Sequence, residues 1–228
     1  VLNGMRRIFK TKGAVIIYPA SGTGAWEAAL VNTMSPGDKV LMVETGQFAT
    51  LWKTLATRLS LQPEFIGGDW RRGVDATAVE AKLNEDKAHT IKAVCVVHNE
   101  TSTGVTNPIA ALAAVVRELA PGALILVDGV SALGAVPFEM DAWGLDVVVT
   151  GSQKAWMAAP GMSMIALSDR AWVAADGARM PRFYFDLRDA RKSAATGQTP
   201  WTPAVAVMYQ VDAGLALMEA ETPAGVFA

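Results

Sequence analysis

The sequence predicts an α/β protein: a three-layer sandwich in which a mostly parallel sheet carries helices on both faces. Three observations lead there. Short β-rich runs alternate with helical stretches along nearly the whole chain. Those runs are apolar throughout rather than at every second residue, the pattern of strands buried on both faces. And 228 residues, 51% of them hydrophobic, suffice to bury a substantial core without a disulfide or metal staple.

The elements follow in order. Residues 5–12 read as the last turns of a helix. Strands are predicted at 14–18 (AVIIY), 40–43 (VLMV), 93–98 (AVCVVH), 123–127 (ALILV), 146–150 (DVVVT) and 163–167 (SMIAL). Helices are predicted at 24–34, 48–60, 75–84, 108–120 and 204–219. One helix is punctuated at both ends: Asn107-Pro108 predicts a cap with a first-turn proline, and Ala120-Pro121-Gly122 stops it. The polar stretch 186–197 (DLRDARKSAATG) reads as a solvated connection.

Composition narrows the function classes. A formal charge of −2 and a pI near 5.7 lack the basic excess of a nucleic-acid binder. A single cysteine, Cys95, excludes an intrachain disulfide and any multi-cysteine metal site, and fits a reducing compartment, the cytoplasm. No apolar run reaches the roughly 18 residues of a membrane span. Val1-Leu2-Asn3-Gly4 lacks an initiator Met and the layout of a signal peptide, and both ends read as cut from a longer chain.

In open α/β sheets ligands sit at the carboxyl ends of strands, so each strand exit is a candidate. The first strand leads into Ala20-Ser21-Gly22-Thr23-Gly24, small residues and hydroxyls before a helix. From that segment alone a phosphate cradle and an ordinary strand-to-helix turn fit equally. The glycine pattern is wrong for a dinucleotide fingerprint, and Gly-Lys-Ser/Thr of a Walker loop is absent. His98 ends another strand, but the only other histidine, His89, stands in a polar loop, so no metal site is expected. Asp128 ends the run ALILV, where a carboxylate needs a cation or hydrogen bonds. Lys154 follows DVVVT in Gly-Ser-Gln-Lys, where a lysine is either paired or made reactive. Phosphate-type turn, aspartate and lysine at one sheet edge are the set that pyridoxal phosphate needs.

The segments YPASGTGAWEAAL, ETGQFATLW, IKAVCVVHNETSTGV, LILVDGVSALGAVPFEMD, TGSQKAW, and RFYFD with TGQTPWTP carry a resemblance across nearly the whole chain. It resembles the class V pyridoxal-phosphate-dependent aminotransferases of fold type I, closest to the serine–glyoxylate and alanine–glyoxylate enzymes. The resemblance implies the large cofactor-binding domain of that fold over 1–197, and over 198–228 a helix leading to a smaller C-terminal domain outside the chain. It implies Lys154 as the Schiff-base lysine, Gln153 as a cofactor contact and Asp128 at the ring nitrogen. Ser21, Gly22 and Thr23 would hold the phosphate, Phe48 would stack on the ring, and Thr101 would lie near its phenolic oxygen. Thr202 would reach the phosphate of a neighbouring subunit, which implies a homodimer with shared sites and no nucleic-acid or membrane partner.

The implied reaction transfers an amino group from serine or alanine to glyoxylate or another small 2-oxo acid. Gln198 and Thr199 depart from the aromatics of relatives, and the arginine expected to grip the substrate carboxylate belongs to the absent domain. Two alternatives stand beside it. A cysteine desulfurase or selenocysteine lyase would need a cysteine on a mobile loop, whereas Cys95 sits inside a predicted strand. A non-catalytic module that keeps the fold would have no use for the lysine–aspartate pair.

Overall fold

A computed structural model describes residues 1–227, of which 222–224 by their backbone alone; Ala228, the last residue of the predicted connecting segment, lies outside the described residues. The sheet is built from β1 (Ala14–Tyr18), β2 (Lys39–Val43), β3 (Gln62–Ile66), β4 (Ile91–Val97), β7 (Leu124–Asp128), β8 (Val147–Gly151) and β9 (Ser163–Leu167), in the spatial order β1-β9-β8-β7-β4-β2-β3. β5 (Asn99–Glu100) and β6 (Val105–Thr106) form a separate small hairpin just past β4. β9 pairs antiparallel with β1 and with β8, while the remaining ladders are parallel. Six of these strands therefore point the same way, and their carboxyl ends share one edge.

Helices cover both faces. On one side lie α1 (Leu2–Phe9), α4 (Ala76–Glu85), α5 (Ile109–Leu119) and α8 (Val205–Val226). They bury Phe9, Leu83, Leu112 and Leu215 against Val94 and Val96 of β4. On the other lie α2 (Gly22–Thr33), α3 (Gln47–Arg58), α6 (Asp169–Gly177) and α7 (Leu187–Ala195), which meet Ala93, Cys95 and Val97 of the same strand. Alternate residues of an all-apolar strand thus serve two cores, which is why the strand shows no polar alternation.

Five elements differ from expectation, the short β5–β6 hairpin, β3, α6 and α7. β3 carries Pro63 and is half-buried; it occupies the sheet edge and pairs only with β2, the place where a missing N–H is tolerated. α6 and α7 form where no helix is predicted. The stretch read as a solvated connection contains α7, which buries only Leu187 and Ala190 and so offers little helical periodicity. Tertiary bonds hold its start: Asn32 Oδ1 accepts from Leu187 N at 2.9 Å, and the Tyr18 hydroxyl donates to Asp186 O at 3.0 Å. The predicted Asn107 cap is also not made. α5 starts after Pro108 without a side-chain cap, and Asn107 instead accepts from Val74 N at 2.8 Å and donates to Val97 O at 2.7 Å.

Candidate active site

β1 runs out through Ser21, an extended residue whose hydroxyl makes no capping bond at the start of α2. The first N–H groups of a helix have no partner within it, so this turn offers free donors beside the Ser21 and Thr23 hydroxyls. Glycine is required next to them for closeness: a Cβ on Gly22 would stand 2.6 Å from Val130 Cγ2. The turn after β1 is thereby pressed against the loop after β7.

That loop begins at Asp128, the last residue of β7, wholly buried. Asp128 Oδ1 accepts from Val130 N at 2.7 Å, and Oδ2 accepts from the Trp26 indole Nε1 at 2.9 Å. Burial pushes its carboxyl up to about 7; Glu100 adds to the rise, while the two hydrogen bonds and the charge of Lys154 oppose it.

Lys154 stands in the turn after β8, half-buried, and its ammonium makes no hydrogen bond or ion pair with the described residues. The turn itself is tied down. Ser152 Oγ donates to Ala159 O at 2.6 Å, Trp156 Nε1 donates to Thr150 Oγ1 at 3.2 Å, and Gln210 of α8 accepts from Ala159 N at 2.8 Å. Gln153 Oε1 is buried beside Lys154 with no partner among the described residues.

Phe48 comes from the first turn of α3, and the buried Glu100 of β5 holds that turn. Its carboxylate accepts from Phe48 N at 3.3 Å and Ala49 N at 3.1 Å, and from the Ser102 hydroxyl at 2.7 Å. Ser102 Oγ in turn accepts from Gln47 N at 2.9 Å. A Cβ on Gly46 would run into Glu100 and stand 2.6 Å from Ser102 Oγ, so the clamp closes only over glycine. Thr101, next in the chain, hydrogen-bonds through its hydroxyl to that of Ser131.

The structure brings Ser21, Gly22, Thr23, Phe48, Thr101, Asp128, Gln153 and Lys154 to one cleft of about 120 Å³. Thr202 does not line it; that residue is exposed, before α8. Trp26, Asn99 and Ser131 also line the cleft and went unpredicted, although Trp26 stands one helical turn after Gly22 and so shares its face. His98 does not line it: the ring packs on Phe138 and Trp143, and burial lowers its pKa to about 4. Cys95 is buried inside β4, where burial pushes the thiol far up. A larger groove of about 760 Å³ lies elsewhere, between α1, residues 134–142 and the end of α8. Among the described residues no group of three or more His, Cys, Asp and Glu is placed to hold a metal, and no helix is long and apolar enough to cross a membrane.

A mostly parallel sheet between helical layers, with lysine, buried aspartate and a helix N-terminus at its carboxyl edge, has the architecture of the fold type I pyridoxal-phosphate aminotransferases. The chain belongs to the class-V aminotransferase family, whose model matches residues 3–222. It is 41% identical over 228 residues to an L-aspartate–glyoxylate aminotransferase of Paracoccus denitrificans, covering 100% of this chain and 58% of that protein. It is also 41% identical over 220 residues to a serine–glyoxylate aminotransferase of Arabidopsis thaliana, covering 96% and 55%. An alanine–glyoxylate aminotransferase structure from Nostoc sp. superposes with a TM-score of 0.92 at 28% identity, over 99% of this chain and 60% of that one. The chain thus spans little more than half the length of the curated relatives it matches.

Proposed function

We propose that the protein transfers an amino group from a small amino acid, serine or alanine, to glyoxylate or another small 2-oxo acid, with pyridoxal 5′-phosphate held in the strand-end cleft. The observation that carries this is the meeting of an unpaired Lys154 and a buried Asp128 at the free N-terminus of α2. The residues fit the cofactor: an anion cradle closed by Gly22, an orphaned amide at Gln153, and a carboxyl that is costly to ionise without a cation. The glyoxylate acceptor is supported by the relatives' activities, whose amino donors differ.

When bound, pyridoxal phosphate supplies an aldehyde that exchanges amines and a ring that accepts an electron pair. Ser21, Gly22 and Thr23 bind the phosphate through hydroxyls and backbone N–H groups, aided by the positive end of α2. Phe48 would pack on the ring, Gln153 would contact the cofactor, and the Thr101 hydroxyl would lie near the phenolic oxygen. Asp128 would keep a proton on the ring nitrogen, since an opposite charge in contact would restore its own ionised form. Lys154 would hold the cofactor's aldehyde, and its amine, when free, would move the proton at the substrate's Cα. Over the full cycle the donor would become its 2-oxo acid in the first half-reaction and glyoxylate would become glycine in the second.

Residues 1–197 are the cofactor-holding unit in this reading, and 198–228 connect onward. Thr202, exposed beside the aromatic surface of Phe183, Tyr184 and Trp201, reaches the partner's phosphate in a homodimer. A lone buried cysteine suits the cytoplasm. In the full-length protein, Lys154→Ala is expected to abolish both turnover and the adduct that borohydride traps; undiminished trapping would sink the assignment. Adding serine, alanine or aspartate separately to the purified protein and following its visible absorbance ranks the donors.

A further inference from the structure

Trp26 is wholly buried in the first turns of α2 and touches two parts of the cleft at once. Its indole N–H donates to Asp128 Oδ2 at 2.9 Å, both atoms being shielded from solvent. Its ring stands edge-on to Phe48, with centroids 6.2 Å apart and planes at 69°. Behind it, Trp52 of α3 stacks nearly parallel at 5.7 Å and 16°. The neighbouring donor, Val130 N at 2.7 Å, occupies the other carboxylate oxygen, so the plane of Asp128 is set by two N–H groups from different elements.

We infer that Trp26 is a positioning residue, whose N–H orients the Asp128 carboxylate and favours its charged form while its ring backs Phe48, so that one side chain sets both groups that flank a bound aromatic cation. This rests on the reading of Asp128 as the partner of a ring nitrogen. A hydrogen bond from a neutral donor to a buried carboxylate favours the charged form, and in an apolar site it is strong. The other charged groups bearing on Asp128 are Lys154, which acts in the same direction, and Glu100 of β5, which opposes it. Phenylalanine at position 26 would keep an aromatic ring against Trp52 and remove the donor together with part of the indole, whereas the benzothiophene isostere removes the donor alone.

The test is the titration of the Asp128 carboxyl, by carbon NMR of aspartate-labelled full-length protein freed of cofactor, in the parent and in Trp26→Phe. The midpoint is expected to rise by about one pH unit, a tenfold weaker acid. Pyridoxal phosphate affinity, read by absorbance titration, should fall severalfold in the same variant. If Trp26→Phe unfolds, the benzothiophene isostere of tryptophan at position 26 keeps ring shape and loses the N–H, and should give the same rise. An unchanged midpoint in a folded variant overturns the inference. Should the parent protein bind no pyridoxal phosphate while the midpoint still shifts, the cofactor reading fails and the Trp26–Asp128 coupling stands.

Discussion

At the scale of single residues, Asp128 decides most. Its carboxyl is raised to about 7 by burial, against an ordinary value of 3.8. In the cofactor-free protein the folded state therefore holds a proton that the unfolded chain has already released between those values. Stability is fully present below pH 3.8 and is lost as pH rises through 7, because the unfolded state binds fewer protons in that window. His98, lowered by burial to about 4, acts the opposite way below 6.5, so Asp128→Asn is expected to make urea midpoints rise more, or fall less, with pH from 4 to 8 than in the parent, and an unchanged pH dependence would contradict it. The same variant should still bind cofactor but lose rate by on the order of 10²-fold or more, the scale for removing one preorganised electrostatic group. Asp128 and Lys154 were both legible in the sequence, since a charge at the exit of an all-apolar strand stands out against its neighbours. Trp26 was not, because a tryptophan on an apolar helix looks like core until its N–H is seen against a carboxylate.

At the scale of elements, the N-terminus of α3 rests on a clamp from a distant strand. Glu100 is fully buried, and its carboxylate takes two backbone N–H groups of α3 and the Ser102 hydroxyl. A carboxylate at a helix N-terminus is also favoured by the helix dipole. Glu100→Ala leaves the buried Ala49 N–H without a partner, at a cost of about 1–3 kcal/mol. The expected result is a lower thermal midpoint together with weaker pyridoxal phosphate binding, since Phe48 belongs to the released turn; a variant with parental midpoint and affinity would refute the clamp. The motif His-Asn-Glu-Thr-Ser-Thr-Gly reads from sequence as dense turn chemistry. Its partner, 52 residues earlier at Phe48, is set by strand order, as β4 lies next to β2 and delivers both loops to one edge.

At the scale of the whole molecule, the surface around the end of β1 is aromatic and open. Phe183, 78% exposed, packs on Trp201, on which Tyr184 also stacks, and Tyr184 in turn meets Tyr18 at the end of β1. A second copy of the chain covering this face is the expectation from the proposed homodimer. Sedimentation should find the full-length protein dimeric, and Phe183→Glu with Tyr184→Glu should shift it toward monomer and weaken cofactor retention. A dimer indifferent to the Phe183 and Tyr184 substitutions would place the interface elsewhere.

What the amino-acid sequence determined by itself was the layering and the chemistry of the strand ends. Continuous apolar strands can only be buried on both faces, and charges at their exits can only be functional or paired. β3, α6 and α7 lay beyond that logic. An edge strand with a proline and a helix with two buried residues carry too little periodicity, and they form because neighbours supply their hydrogen bonds. Tertiary structure alone decided which side chains meet. The reversal of β9, the glycines at 22 and 46, and the stacking of Trp26 on Trp52 bring turns far apart in the chain within a few ångströms of Asp128 and Phe48. Spacing along a chain reports which face a residue takes within its own element; the distance between elements is set by how those faces pack.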